Sequence, residues 1–160
     1  KAYGKTVVGK DCLIMAYVHI AHDCIIGDHV ILVNSVALAG HVEIGDYGIV
    51  SGLSAVHQFV KIGAHVMIGG GAMVRKDVPP FITAAGEPLA YAGVNSVGLK
   101  RRNFSQEDIN EIQTLYRTLY QSGMNVSQAV NRIKEQYPNR PLADLILSFI
   151  EQSDRGLIRK

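Results

Sequence analysis

Residues 20–38 read Ile-Ala-His-Asp-Cys-Ile-Ile-Gly-Asp-His-Val-Ile-Leu-Val-Asn-Ser-Val-Ala-Leu, and their spacing decides the fold. Ile20, Ile26, Leu32 and Leu38 fall six apart, and Cys24, Val30 and Val36 form a second column four residues after the first. Both columns extend in either direction. The first begins at Val8 and Ile14 and continues through Ile44, Val50, Val56, Ile62 and Ile68 to Val74. The second begins at Cys12 and Val18 and runs through Val42, Gly48, Ser54, Val60, Val66 and Ala72 to Val78. A branched aliphatic every six residues, with a small or β-branched partner, calls for two inward columns. Gly9, Gly27, Gly45 and Gly63 add a longer period of eighteen, so three hexads close one triangular coil and a corner recurs once per coil. This is the pattern of a parallel β-helix, in which each coil buries its interior only against its neighbours.

Charge narrows the partners. The net charge is +2, and the single run of like charge is Lys100-Arg101-Arg102, which argues against general nucleic-acid binding but leaves room for a local anion site. Cys12 and Cys24 both fall in the small inward column and read as buried thiols rather than a disulfide, which fits a reducing cytoplasm. No apolar run approaches the roughly 20 residues of a membrane-spanning helix. Because the sequence begins at Lys1 rather than Met, a removed targeting segment or a missing amino-terminal region is left open.

The beat is expected to end at Pro79 and Pro80, which lack ladder donors, and Gly86-Glu87-Pro88 reads as the turn that leaves the prism. Helical periodicity then takes over. Ser105 and Asp108 resemble a capping box ahead of Ile109, Ile112, Leu115, Tyr116, Leu119 and Tyr120, and Gly123 closes the segment. Ser127 is expected to cap a second helix with Val130 and Ile133 inward, ending near Pro138. A third starts at Pro141, with Leu142, Leu145, Ile146, Phe149 and Ile150 on one face. The chain thus divides into a β-helix over 1–85 and a small helical domain over 86–160.

Counted from the leading aliphatic of each coil, His19, His22, His41 and His57 fall at offsets 11, 14, 15 and 13. They come from three successive coils spaced about 4.8 Å apart, so one corner carries a strip of imidazole about 10 Å long. None lies in an inward column. Imidazole, with an ordinary pKa of ~6.5, suits general-base work and hydrogen bonding to a polar ligand. His29 and His65 share another corner and read as structural. Gly40 follows His22 in the same column, with Gln58 beyond it; a glycine beside a candidate base leaves a backbone N–H open to a substrate oxyanion, or serves the corner backbone, or both.

Ile20-Ala-His-Asp-Cys24, Asn34, Leu38-Ala-Gly-His41, Ala55-Val-His-Gln-Phe59, Ile62-Gly-Ala-His-Val-Met67, Gly98-Leu-Lys-Arg-Arg102 and Arg155-Gly-Leu-Ile-Arg159, in this order, closely resemble the UDP-N-acetylglucosamine 3-O-acyltransferases, which open lipid A synthesis. The resemblance implies the left-handed form of the β-helix, although parallel crossovers in general prefer the right hand. It implies a homotrimer with active sites between subunits, and several family coils ahead of Lys1. It also implies transfer of an (R)-3-hydroxyacyl group from acyl carrier protein to the 3-hydroxyl of UDP-N-acetylglucosamine, without a cofactor. Carried over, His22 becomes the general base, Asp23 its support and Gly40 the oxyanion donor. His19, His41, Gln58 and Asn95 become nucleotide-sugar contacts, with His57 nearby in the same substrate-binding strip. Asn34 falls in the acyl groove, Gly70 where acyl length is limited, and Arg101 and Arg102 near pyrophosphate and carrier protein. Two other classes stand beside this one: a non-catalytic β-helix fragment or assembly module, and a γ-carbonic-anhydrase-like zinc hydratase. The hydratase family's histidines five apart are not found, His19 and His22 being three apart.

Overall fold

Every sixth residue from 11 to 65 turns the backbone into the left-handed region: Asp11, Tyr17, Asp23, His29, Ser35, His41, Tyr47, Leu53, Phe59 and His65, with φ between 53° and 64°. These are the corners of a prism, in a computed structural model that describes residues 3–159. Left-handed geometry is costly for side chains bearing a Cβ. The offset is a repeated bond in which the corner N–H donates to a carbonyl one coil below, as from His29 to Lys10 (2.8 Å), His41 to His22 (3.1 Å), Tyr47 to Asp28 (2.9 Å) and Phe59 to Gly40 (3.1 Å).

Between corners lie two-residue strands. Sheet 1 stacks Val7–Val8 (β1), Ile25–Ile26 (β4), Glu43–Ile44 (β7) and Lys61–Ile62 (β10). Sheet 2 stacks Leu13–Ile14 (β2), Ile31–Leu32 (β5), Ile49–Val50 (β8) and Met67–Ile68 (β11). Sheet 3 stacks His19–Ile20 (β3), Ala37–Leu38 (β6), Ala55–Val56 (β9) and Met73–Val74 (β12). All these pairs are parallel and in an eighteen-residue register, for example Ile25 with Glu43 and Ala37 with Ala55. The result is a parallel β-helix, as the beat requires.

Both inward columns are buried from Cys24 to Val78, Gly48 included. In the first described coil Val8 and Ile14 remain 42% and 43% exposed, because no coil covers their outer side. Cys12 shares that position and is half-buried, not buried as expected, while Cys24 is fully enclosed; both are free thiols. The eighteen-residue glycines mark where coils touch. A Cβ on Gly45 would lie 2.6 Å from the Ala64 nitrogen, so the next coil leaves no room for one.

Pro79 and Pro80 do not end the wrap. Ile82–Ala85 (β13) adds one more parallel strand to sheet 2 against β11, and Ala90–Val94 (β14) returns antiparallel to it. The Gly86-Glu87-Pro88 turn is therefore the tip of a hairpin, and the sheet runs past residue 85. Four helices follow: Ser96–Arg101 (α1), Gln106–Gln121 (α2), Val126–Gln136 (α3) and Pro141–Glu151 (α4). Ser105 caps α2 in a full capping box with Asp108. For α3 the cap is Asn125, not Ser127, with Gln128 completing the box; Asn leads Ser only slightly as a cap, but here its third residue can reach back. On α4, Leu145 is 56% exposed rather than inward. Tyr116 donates from its hydroxyl to the Pro80 carbonyl (2.6 Å), seating α2 on the prism end.

The last residues return to the same end. Asp77, fully buried, accepts from the Lys61 amide (2.8 Å) and from the Ser153 hydroxyl (2.6 Å), and its backbone carbonyl accepts from the Ile158 N–H (3.0 Å). Side chain and backbone of one aspartate thus latch the final coil to Ser153, Arg155 and Ile158.

Candidate active site

Eighteen-residue stacking sorts the candidate residues by corner. His22 and Asp23 turn one corner, Gly40 and His41 turn it one coil on, and Gln58 and Phe59 turn it again. The left-handed backbone at Asp23 (φ 59°) brings its carboxylate back beside its neighbour's ring, which two consecutive residues of a flat strand cannot do. Asp23 Oδ2 lies 2.9 Å from His22 Nδ1, and Oδ1 accepts from the Gly4 N–H at 2.6 Å. A carboxylate on Nδ1 makes that nitrogen the donor, leaving His22 Nε2 as the free base. His41 Nε2 sits 3.9 Å from the same Oδ2. The hydrogen bond from His22 holds the Asp23 carboxyl below the ordinary range; partial desolvation opposes it, while the Gly4 amide and the His41 ring add to it. The His22 side chain is 72% exposed and that of Asp23 only 9%: an open base on a sheltered anion.

Two contacts fix the rings. His41 stacks flat on Phe59 (centroids 4.5 Å apart, 13° between planes) and meets His22 edge-on at 5.2 Å. Phe59 escapes the sequence reading, although the counting that found the histidines places it directly after Asp23 and His41 in one column. Gly40 lies under the base: a Cβ there would come within 2.6 Å of His22 Nε2 and Cε1. The Gly40 N–H has no protein acceptor among the described residues. Glycine is therefore needed for the ring's seat, and its unpaired amide lies buried beneath that ring.

His19 and His57 are exposed on sheet 3 beside this corner, and His57 directs Nδ1 at the Gln58 carbonyl (3.2 Å). Neither touches His22 or His41 among the described contacts. His19 instead heads an outward column that continues with Ala37, Ala55 and Met73, so the middle of the face is lined by the small side chains of two alanines. Its far edge is a second corner, where Asn34, Gly52 and Gly70 stack. Gly70 is exposed, and a Cβ on it would make only ordinary contacts, the nearest being the Gly52 oxygen at 3.5 Å. The catalytic candidates and the acyl-groove candidates thus border one face.

Asn95, Arg101 and Arg102 lie elsewhere. Asn95 is buried, caps α1 by accepting from the Gly98 N–H (3.1 Å) and donates to the His65 carbonyl (3.0 Å). Arg102 ends α1 with its guanidinium carbon 5.0 Å above the Tyr47 ring, while Arg101 is exposed. Asn95 and Arg102 contact the third corner, where His29, Tyr47, His65 and Phe81 form a stacked column, and Arg101 precedes Arg102 on α1. Within one chain, the histidine corner and the arginine corner do not meet.

The metal-capable group found among the described residues is His22, Asp23 and His41, each offering one ligand atom with all three within 4.8 Å. Asp23 Oδ2 is already the hydrogen-bond acceptor for His22, so a cation would have to displace that proton.

A stack of hexads bearing an imidazole–carboxylate pair at an exposed corner defines a hexapeptide-repeat transferase, and the bacterial transferase hexapeptide model matches residues 5–40. A second family model, "Udp N-acetylglucosamine O-acyltransferase; Domain 2", matches residues 77–158. The chain belongs to the UDP-N-acetylglucosamine O-acyltransferase family. The acyl-[acyl-carrier-protein]–UDP-N-acetylglucosamine O-acyltransferases of Thiobacillus denitrificans and a Janthinobacterium are 44% and 48% identical, each over 98% of this chain. Crystal structures of the UDP-N-acetylglucosamine acyltransferases of Bacteroides fragilis and Francisella novicida superpose with TM-scores of 0.94 and 0.93 at 44% and 42% identity, over 98% and 99% of this chain. The chain spans about 60% of the length of these curated relatives, and 62% and 58% of those two solved chains.

Proposed function

We propose that this chain carries the catalytic corner of an acyltransferase that moves an (R)-3-hydroxyacyl group from acyl carrier protein to the 3-hydroxyl of UDP-N-acetylglucosamine, the opening step of lipid A synthesis. The observation that carries the reading is the Asp23–His22 pair, with an unpaired Gly40 N–H beneath the ring. His22 Nε2 takes the hydroxyl proton as the sugar oxygen attacks the thioester carbonyl. The Gly40 N–H holds the resulting oxyanion, and Asp23 steadies the imidazolium. Collapse breaks the carbon–sulfur bond, and the imidazolium returns its proton to the carrier's thiolate.

The small-residue face between His22 and the Asn34–Gly70 corner offers the acyl chain its path. His19, His41, His57 and Gln58 are left at the mouth to meet the sugar nucleotide. Arg101 and Arg102 supply cations for its phosphates and for the acidic carrier protein, yet they sit on a different corner. A second copy that turns its arginine corner toward the histidine corner of the first completes the site, and three copies close the ring; hence the homotrimer. No helix among the described residues is long and apolar enough to cross a membrane.

His22→Ala is expected to lower acyl transfer by about 10²- to 10⁴-fold with binding of the nucleotide sugar largely kept. Near-normal turnover from hydroxyacyl carrier protein would remove His22 from the chemistry. The zinc reading is tested on the same preparation: stoichiometric metal, with activity lost on chelation, would replace the acyl-transfer mechanism.

A further inference from the structure

We propose that Tyr47 is a positioning residue for Arg102: its ring face is the platform that aims the guanidinium at the phosphates of the nucleotide sugar, an inference resting on the reading that Arg102 binds that anion. Arg102 has no carboxylate partner among the described residues, although it is half-buried. Its backbone is set by the end of α1, where its N–H donates to the Leu99 and Lys100 carbonyls. The five-bond-long side chain is left to be fixed by what it touches. What it touches is Tyr47, 5.0 Å from guanidinium carbon to ring centroid, within range of a cation–π attraction.

Tyr47 is itself held from both sides. It is stacked on His29 at 4.6 Å and 12° and on His65 at 4.9 Å and 9°, with a left-handed corner backbone. His65 is braced in turn by Phe81 and, edge-on, by Phe104. A column of rings one coil apart has little freedom to tilt, so the guanidinium resting on it has little either. Burial first, and the Arg102 cation second, push the His65 pKa down to about 4, with Asp46 opposing. Its ring is therefore neutral at physiological pH and does not repel the arginine. Arg102 Nη1 is buried and finds no acceptor among the described residues, so the charge of this half-buried cation is met by no partner there. The site is held ready and unmet.

The test is steady-state kinetics with hydroxyacyl carrier protein and UDP-N-acetylglucosamine on the single variants and the double. Tyr47→Leu, which keeps bulk but removes the π face, is expected to raise KM for the nucleotide sugar about five- to tenfold with kcat within about twofold. Tyr47→Phe, which keeps the ring, restores KM toward the parent value. In an Arg102→Ala background the Tyr47→Leu effect should vanish. Parent KM in Tyr47→Leu, beside a raised KM in Arg102→Ala, overturns the platform while leaving the arginine's role intact. Parent KM in Arg102→Ala overturns both. Additive effects in the double variant also overturn it, since Tyr47 would then act without Arg102. Should Tyr47→Leu fail to fold, Tyr47→His keeps a flat ring in the column with a poorer cation platform and gives the same comparison.

Discussion

At the residue scale, Gly40 joins a steric role under His22 to the oxyanion role proposed for it, and one substitution confounds the two. A methyl at position 40 would press on His22 Nε2 and Cε1 from 2.6 Å, so Gly40→Ala moves the base before it alters any oxyanion contact. Since a shift of about 1 Å can cost on the order of 10²-fold, the expected outcome is a loss of kcat of that size with little change in melting temperature. Nearly full turnover in Gly40→Ala would mean that the ring is free to move aside without penalty. Gly70 is the opposite case. A Cβ there would meet only ordinary contacts with Gly52 and Ser51, so Gly70→Met should fold normally and project into the face leading from His22. Product analysis over carrier proteins loaded with different acyl lengths is expected to show a shift toward shorter chains; an unchanged profile would take Gly70 out of the groove.

Single elements show what the sequence alone could and could not carry. The inward columns were legible because burial punishes every exception, and the structure buries them from Cys24 onward. Corner geometry was not legible, because left-handed backbone usually announces itself through glycine or asparagine. Here it is carried by Asp, Tyr, His, Leu and Phe, secured by bonds to the coil below. The carboxylate ladder at the arginine corner was equally hidden: Asp28 accepts from the Lys10 N–H (2.7 Å) and Asp46 from the Asp28 N–H (2.8 Å), a pairing visible only once the eighteen-residue register is laid out. The same column supplies a pH signature. An unfolded histidine titrates near ~6.5, whereas His65 in the fold titrates at about 4. Between those values the unfolded chain holds the extra proton, so stability is full above pH ~6.5, declines as pH falls toward 4 and levels off below. His65→Phe, which keeps a ring in the stack, should flatten that part of a melting-temperature profile against pH. An identical slope in the variant would assign the acid loss to other groups.

For the whole molecule, the separation of the histidine and arginine corners makes a subunit-mixing prediction. His22→Ala and Arg102→Ala chains, each impaired alone, are expected to recover activity when co-assembled, because about one site in four of a random trimer would pair an intact His22 with an intact Arg102 from the neighbour. No recovery in verified mixed trimers would place both residues in a site within one chain. The candidate cluster was largely legible in advance: counting by coils brought His22, Gly40 and His41 to one corner, while Asp23 came only from the family resemblance. What it blurred was distance along the surface, since His19 and His57 share the neighbourhood without touching the pair. Asn95 shows a second limit. Its motif context suggested a ligand contact, whereas its amide is spent on Gly98 and His65 inside the chain.

The eighteen-residue register also sets a rule for how such a molecule can lengthen. An insertion of six residues keeps both inward columns in step, so the interior would still pack, yet everything beyond it would be carried round to the next face. With the insertion after Gln58, Gly70 would no longer lie above Gly52 and Asn34, and the parallel pairing of Gly52's coil with Gly70's would be exchanged for that of strangers. Only an insertion of eighteen returns each outward side chain to its own corner, one layer higher. Folding tolerates steps of six and the site tolerates steps of eighteen, so a library of hexad insertions between Gln58 and Gly70 should yield soluble proteins three times as often as proteins whose corners still align.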